Sequence, residues 1–560
     1  MAEDFMTAAV KRVEAQFEKS GVSENCAAFE RKENQIEMRD GVKLHTIYYF
    51  PKEDTAEEKT YPVILTRTCY PGNDRIHRAY GEGLARRGYV YVYQYCRGRE
   101  NSEGKWEPNI NERKDGIDTM NYLVEQPWCE ILGYWGHSYT SMTGWAFADA
   151  AEGKVAAMFL EDYGTDRFTS AYEKGCFRHD ILTAWSMENA EKPVNADYRE
   201  SCRYLPQIEV DEALWGQRVP SYREYITSPN PDAALWQTGW WKQLREIPSK
   251  TKVPIYLLSG WYDHHHGSSM KTWERLNEET KQHSWLEIGA WNHFFQICLE
   301  GKEVMHPQNE EIPKMLEWFE LTLKQKEIPT QRIRAYEIGA DRWIDTVSDG
   351  LGEKGTAGSM TLYLDEKTLR TDTPEQEKTR NYTFDPADPV ESIGGEALLH
   401  TMPQIGSHLQ PESDYREDVL SFVSEPLEET FTLNGKASVR LFVESDCEDT
   451  AFTAKIMEVT PEGKAYNIRS SIATLEQGKT EAGAYEPGSV AEVQITMWNI
   501  VYTIPAGSRI RVDVSSSDFP QYHVHSNQKG LWSEKTENKI AHQTIHTGGV
   551  HASCVCLLYT

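Results

Sequence analysis

Ile131-Leu132-Gly133-Tyr134-Trp135-Gly136-His137-Ser138-Tyr139-Thr140-Ser141 is an apolar run that stops at Gly136, offers one serine and turns directly into a helical pattern. A serine at such a strand-to-helix turn has its hydroxyl lifted out of the sheet, beside backbone N–H groups that open the helix and can hold an oxyanion. The fifth position of the G-x-S-x-G pattern is Thr140 rather than glycine. A serine that merely caps a helix over residues 142–151 would read the same locally, so the rest of the chain has to decide.

Upstream, Gln35-Ile36-Glu37 and Val42-Lys43-Leu44 flank Asp40-Gly41, a strong hairpin signal. After a charged loop over residues 53–59, Pro62-Val63-Ile64-Leu65-Thr66 reads as a buried strand that runs out towards Tyr70. A second strand over residues 89–94 closes at Cys96-Arg97, and helices are predicted over residues 79–87 and 114–125. Residues 155–160 form the strand after the elbow, with Glu161-Asp162 just past its end. Strands alternating with helices mean a parallel sheet covered on both faces. Its chemistry belongs at the carboxyl ends of the strands, where Tyr70, Arg97 and Ser138 all fall.

From about residue 165 to 250 the alternation breaks into helical or irregular chain rich in Tyr172, Trp185, Tyr204, Trp215, Trp236, Trp240 and Trp241. A cap inserted over the active end of the sheet would explain it. The sheet resumes at residues 254–260, followed by Asp263, and the strand over 284–288 is followed by Trp291-Asn292-His293. The order Ser, Asp, His at successive strand ends is what an α/β-hydrolase requires. In that reading Ser138 attacks a carbonyl, His293 carries its proton to the leaving group, and Asp263 fixes the histidine tautomer and steadies the imidazolium. After a helix over residues 314–326, short alternating strands such as 334–338, 438–443, 492–497 and 509–514 predict an all-β sandwich of jelly-roll type. The expected division is therefore residues 1–164 and 251–331 for an α/β-hydrolase domain, 165–250 for a helical cap, and 332–560 for the β domain.

Composition bounds the function. A net charge of −28 over 560 residues argues against a nucleic-acid partner, whose phosphates need a basic excess. Residues 1–20 carry Phe5, Met6, Ala9, Val10, Val13 and Phe17 at helical spacing with charges between them, which is neither a signal peptide nor a membrane span. The expected setting is soluble and cytoplasmic, with no membrane partner. The ten scattered cysteines fit it as buried thiols rather than a disulfide framework. Whether the N-terminal helix packs on the body or on a second subunit is open, and with it a homo-oligomer.

Several blocks carry a resemblance that covers nearly the whole chain: Arg39-Asp40-Gly41-Val42, Tyr95-Cys96-Arg97-Gly98-Arg99, Gln126-Pro127-Trp128-Cys129, Gly136-His137-Ser138-Tyr139, Gly260-Trp261-Tyr262-Asp263 and Gly289-Ala290-Trp291-Asn292-His293. In the β part, Phe384-Asp385-Pro386-Ala387-Asp388-Pro389-Val390, residues 449–455 and Ser515-Ser516-Ser517-Asp518-Phe519-Pro520 add to it. The chain resembles the family of cocaine-esterase-like hydrolases, X-Pro dipeptidyl-peptidases and α-amino-acid ester hydrolases. The resemblance implies the same triad, a cap and a C-terminal jelly roll. It also implies an oxyanion hole made of the Tyr70 hydroxyl and the Tyr139 N–H. Where the family has glycine three residues after the nucleophile, this chain has Ser141, and the amino-ester branch has there a carboxylate that Ser141 does not supply.

The run His264-His265-His266 invites a metal, but adjacent residues point in different directions and no carboxylate or cysteine spacing completes a site. His264 and His265, with Trp185 of the cap, are instead candidates for the substrate pocket. Glu161-Asp162 could serve as an alternative triad acid or bind a substrate amine, a solvated or hydrogen-bonded structural role being the expectation. Arg97 could bind a substrate carboxylate but is expected to pair with nearby acids. The chemistry asks for no metal and no cofactor. Its substrate would be a small ester, with Xaa-Pro peptides as the alternative; an inert hydrolase domain serving a binding protein is the reading from another class.

Overall fold

The computed structural model describes residues 2–52, 59–346, 358–397 and 402–559. The loop predicted over residues 53–59 lies outside them except for Lys59. Helix α1 (Ala2–Lys19) packs on the body of the chain, burying Val13 and Phe17. Its partner is helix α2 (Asp74–Arg86), where a side chain at Gly83 would collide with the Phe17 ring at 2.4 Å. Glycine there lets the two helices close together.

Strands β1 (Ala28–Glu37) and β2 (Lys43–Lys52) form the predicted hairpin. Then come β3 (Tyr61–Thr68), α2, β4 (Val90–Tyr95), helix α3 (Glu112–Val124), β5 (Cys129–His137), helix α4 (Tyr139–Trp145) and β6 (Val155–Glu161). Short helices between Arg167 and Lys250 separate β6 from β7 (Ile255–Gly260), and β8 (Trp285–Gly289) follows. The strand order is β1-β2-β4-β3-β5-β6-β7-β8, parallel from β4 to β8. All six residues of β4 and all six of β7 are buried, as strands covered on both faces must be.

The sheet does not stop there. Strands β9 (Arg332–Glu337) and β10 (Arg342–Thr346) extend it, β9 parallel to β8 and β10 antiparallel to β9. The strand over residues 334–338, expected in the β domain, therefore belongs to the first sheet. An alternating pattern marks a half-covered strand in either architecture, so the pattern alone cannot assign it to a sheet.

Among the described residues from 358 onward twelve strands join into a second sheet system, organised by the 15-residue strand Phe431–Ser445, which pairs with four others. All ten cysteines are unpaired thiols, six of them buried. Among the described residues no helix is long and apolar enough to cross a membrane.

Candidate active site

Strand β5 ends at His137 and helix α4 begins at Tyr139, leaving Ser138 alone at the turn with φ 56° and ψ −126°. A non-glycine residue held in this sparsely populated region is the strained elbow expected of an exposed nucleophile. The turn is so tight that a side chain at Gly136 would meet the Thr140 carbonyl oxygen at 2.2 Å. The Ser138 N–H donates to the Glu161 carbonyl at 3.0 Å, which ties the elbow to the end of β6. Ser141, three residues on, is fully buried in α4.

His293, from the loop after β8, brings Nε2 to 2.9 Å from the Ser138 hydroxyl and Nδ1 to 2.5 Å from Asp263 Oδ2. Asp263 follows β7, and its other oxygen accepts the His265 N–H at 2.6 Å. The three residues predicted to act together are thus brought together, with Asp263 and His293 almost inaccessible to solvent. A carboxylate accepts, so Nδ1 of His293 carries the proton and Nε2 is free to accept from the serine.

Tyr70, past the end of β3, faces the same hydroxyl. Burial pushes its phenol above the ordinary tyrosine range, while hydrogen bonds with Trp185 and Ser138 pull the other way. It keeps its proton at neutral pH. Trp185, from the inserted helices, donates its indole N–H to the Tyr70 oxygen at 3.4 Å, leaving the Tyr70 O–H to be donated elsewhere. The Trp185 ring also stacks on Tyr139, with centroids 5.8 Å apart, and lies 5.9 Å from Trp106. Tyr139 is anchored by donating to Glu112 at 2.5 Å and accepting the Asn109 N–H at 2.8 Å. As the first residue of α4, its own N–H has no partner inside the helix. Trp106 was invisible as a site residue in the sequence; the loop that carries it has no periodicity.

His264 and His265 are both 4% exposed. The His264 ring lies on His293 at 4.2 Å, and His265 reaches Ser170 at 3.0 Å. His266 points away, to Asn499 of the β-rich part at 3.2 Å. Burial lowers the pKa of His265 and of His266 well below the ordinary range, so both are neutral.

Asp162 is not solvated and is poorly supplied with donors. It is completely buried, and its carboxyl has only the Gly260 N–H and, at 3.6 Å, Nε2 of His137 to face. Burial first, and the charge of Asp263 second, push its carboxyl well above the usual range. The physical reason is that β6 is a central strand, paired with β5 and β7, and its end is covered so that water does not compete. Glu161 beside it keeps one bond, accepting the Trp135 indole N–H at 2.9 Å. His137 donates Nε2–H to the His293 carbonyl at 2.9 Å, and burial lowers its pKa, so it stays neutral. Arg97 is taken up by Asp115 at 2.7 Å and Asp40 at 2.8 Å, as expected of a brace.

A buried network from the β-rich part supports the Asp263 loop. Arg469 donates to the Trp261 carbonyl at 2.5 Å, to the Asn499 carbonyl at 2.8 Å and to Glu396. Arg178 reaches the His264 carbonyl at 3.3 Å and the Glu396 carbonyl at 2.8 Å. No local pattern announces it, because Arg469 and Trp261 are 208 residues apart.

Among the described residues three groups come close enough to hold a metal ion. Two of them, His137–Asp162–His293 and Asp263–His264–His293, include the histidine that faces Ser138, and an ion there would take that histidine out of proton transfer. The third, Glu377–His546–His551, lies in the β-rich part.

Comparison with known proteins agrees with this architecture. Residues 40–295 match the model of the X-Pro dipeptidyl-peptidase (S15 family), and residues 329–555 match that of the X-Pro dipeptidyl-peptidase C-terminal non-catalytic domain. The cocaine esterase of Rhodococcus sp. (strain MB1 Bresler) is 27% identical, over 93% of this chain and 97% of that protein. Among solved structures, an α-amino acid ester hydrolase superposes with a TM-score of 0.82 at 21% identity, covering 96% of this chain and 98% of its own. An aminopeptidase from the marine sediment archaeon Thaumarchaeota archaeon gives 0.79 at 21% identity, covering 95% and 96%. These structural likenesses speak to the fold.

Proposed function

Because the chain belongs to the X-Pro dipeptidyl-peptidase (S15) family of serine hydrolases, we propose that it cleaves carboxylic esters through an acyl-enzyme formed on Ser138. The observation that carries the reading is the chain of contacts from Asp263 through His293 to the Ser138 hydroxyl. In the first step His293 Nε2 takes the serine proton as Oγ bonds to the carbonyl carbon. The imidazolium then returns the proton to the departing alcohol, and water repeats the cycle on the acyl-enzyme. Asp263 holds the Nδ1 proton and offsets the charge of the imidazolium.

The oxyanion would be met by the Tyr70 O–H and the Tyr139 N–H, each contributing about 3 kcal/mol of barrier lowering. The Trp185 indole supports that assignment, since it occupies the Tyr70 lone pair and turns the phenolic proton outward. Of the pocket candidates, Trp185 with Trp106 is read as substrate wall; His264 and His265 are read as packing that holds His293. We further propose domains at residues 1–164 with 251–346, a cap at 165–250, and a jelly roll beyond; the boundary follows β10 to Thr346.

The second reading, release of Xaa-Pro dipeptides, rests on the match to the peptidase model. It would need a carboxylate pair to hold the substrate's free amine and a proline-shaped pocket between residues 165 and 250. The test is hydrolysis of a matched pair, a short-chain or aromatic p-nitrophenyl ester and an Xaa-Pro p-nitroanilide, by the wild type and Ser138→Ala. Turnover of the ester alone, lost in the variant, is expected. Efficient cleavage of the anilide makes the protein a peptidase, ester turnover that survives in Ser138→Ala removes the acyl-enzyme on that serine, and turnover of neither substrate by the wild type leaves the binding-protein reading.

A further inference from the structure

In the β-rich part three segments bring Glu377, His546 and His551 to one point. Glu377 precedes the strand Lys378–Phe384; His546 lies on the strand Ala541–Thr547 paired with it; His551 ends the turn Gly549–His551 that follows. Glu377 Oε1 is 2.6 Å from Nδ1 of His551 and 3.3 Å from Nδ1 of His546, and the three atoms all lie within 4.8 Å of one another. On its other side His546 presents Nε2 to Glu444 Oε1 at 3.0 Å.

The proton count makes this arrangement informative. A carboxylate only accepts, so Glu444 draws the proton of His546 to Nε2. In the neutral ring Nδ1 then aims a lone pair at Glu377 Oε1, which already faces the Nδ1 of a second imidazole. His551 donates its Nδ1–H to Glu377 Oε1, and a divalent cation that replaces this proton meets the electron pairs of both ring nitrogens and of the carboxylate. A histidine whose far nitrogen is held by a carboxylate is also the form in which proteins present imidazole to a metal.

We propose that Glu377, His546 and His551 bind a zinc-class divalent cation, with Glu444 orienting His546. Two imidazole nitrogens and one carboxylate oxygen are a three-residue zinc set with room for water as the fourth ligand. Tetrahedral zinc at the usual bond lengths sets its ligand atoms about 3.3 Å apart, so the ring nitrogens and Oε1 need only small movements. Two imidazoles among three protein donors disfavour calcium and magnesium, which prefer oxygen. His546 is nearly buried, and the His551 ring packs on Phe442 with centroids 5.4 Å apart, so the donors are held, while the exposed Glu377 leaves an entry from solvent. The ion would clip the start of one strand to the turn after its neighbour.

The test is titration of the full chain, stripped by chelator, with Co2+ followed by visible absorption and with Zn2+ followed by competition with a chromophoric indicator. One ion per chain with the intense bands of tetrahedral cobalt, and a thermal midpoint raised by Zn2+, are expected. His551→Ala and Glu377→Gln should each weaken binding by a hundredfold or more, and Glu444→Gln by roughly ten- to a hundredfold, with ester hydrolysis unchanged in all three as the check on folding. No binding by the wild type at micromolar zinc overturns the proposal. So does binding that survives both His551→Ala and Glu377→Gln, including an ion that goes to His293 and suppresses hydrolysis.

Discussion

Two aspartates end neighbouring strands and could hardly differ more. Asp263, after β7, gives one oxygen to His293 and the other to the His265 N–H. Asp162, after β6, is equally buried, but its carboxyl has no close donor beyond the Gly260 N–H and a His137 nitrogen at 3.6 Å. Burial penalises a carboxylate unless donors take the place of water. Asp263 has those donors and can stand opposite an imidazolium; Asp162 has few, stands in the field of Asp263, and is pushed towards its neutral form. One strand end is built for charge and its neighbour is built against it, although both residues are aspartate.

The largest consequence falls on the charged partner. Asp263→Asn should lower kcat for the ester by about 10⁴-fold with KM little changed, because the amide no longer fixes the tautomer of His293. A drop below tenfold would mean that Asp162 takes over as the acid and that the contrast is false.

The support behind Asp263 comes next. Arg469→Ala strips donors from the Trp261 and Asn499 carbonyls and leaves Glu396 buried without its partner. A stability loss of about 3–5 kcal/mol in denaturant unfolding is expected, and a loss near zero would dissolve the link between the β-rich part and the Asp263 loop. Tyr70→Phe, which removes one of the two proposed oxyanion donors, should cost on the order of a hundredfold in kcat. Full activity in that variant would reassign the hole.

The smallest effect belongs to Asp162. Asp162→Asn should change kcat by less than about threefold, since the residue donates nothing to His293 in this account. Its signature is in stability against pH. The folded pKa is raised above the unfolded value of about 3.8, so the neutral acid favours folding below that pH and the advantage is lost as pH rises towards the folded pKa. The asparagine variant escapes this loss. Its melting temperature relative to wild type should climb as pH rises above about 4 on this sign; a flat difference would mean that burial and the charge of Asp263 do not set the titration of Asp162 as described.

The elbow was legible in sequence because its causes are local: an apolar strand, a glycine where a side chain would strike the Thr140 carbonyl, and a helix start. Strand alternation likewise carried the order of Ser138, Asp263 and His293. What sequence could not carry was set by partners far along the chain. Arg334 to Glu337 alternate like any half-covered strand, and only the pairing of β9 with β8 joins them to the first sheet. Nothing in Glu161-Asp162 tells which carboxylate will find a donor. The run His264-His265-His266 drew attention by adjacency, whereas the histidines whose nitrogens converge, His546 and His551, meet their glutamate across 169 and 174 residues.

The most direct measurement is the mass of the intact protein quenched in acid during turnover of a slowly deacylated p-nitrophenyl ester, followed by mapping of the modified peptide. One acyl group per chain, on the peptide containing Ser138 and absent from Ser138→Ala, is the predicted result. An unmodified wild type with undiminished turnover, or an acyl group on another residue, would contradict the account.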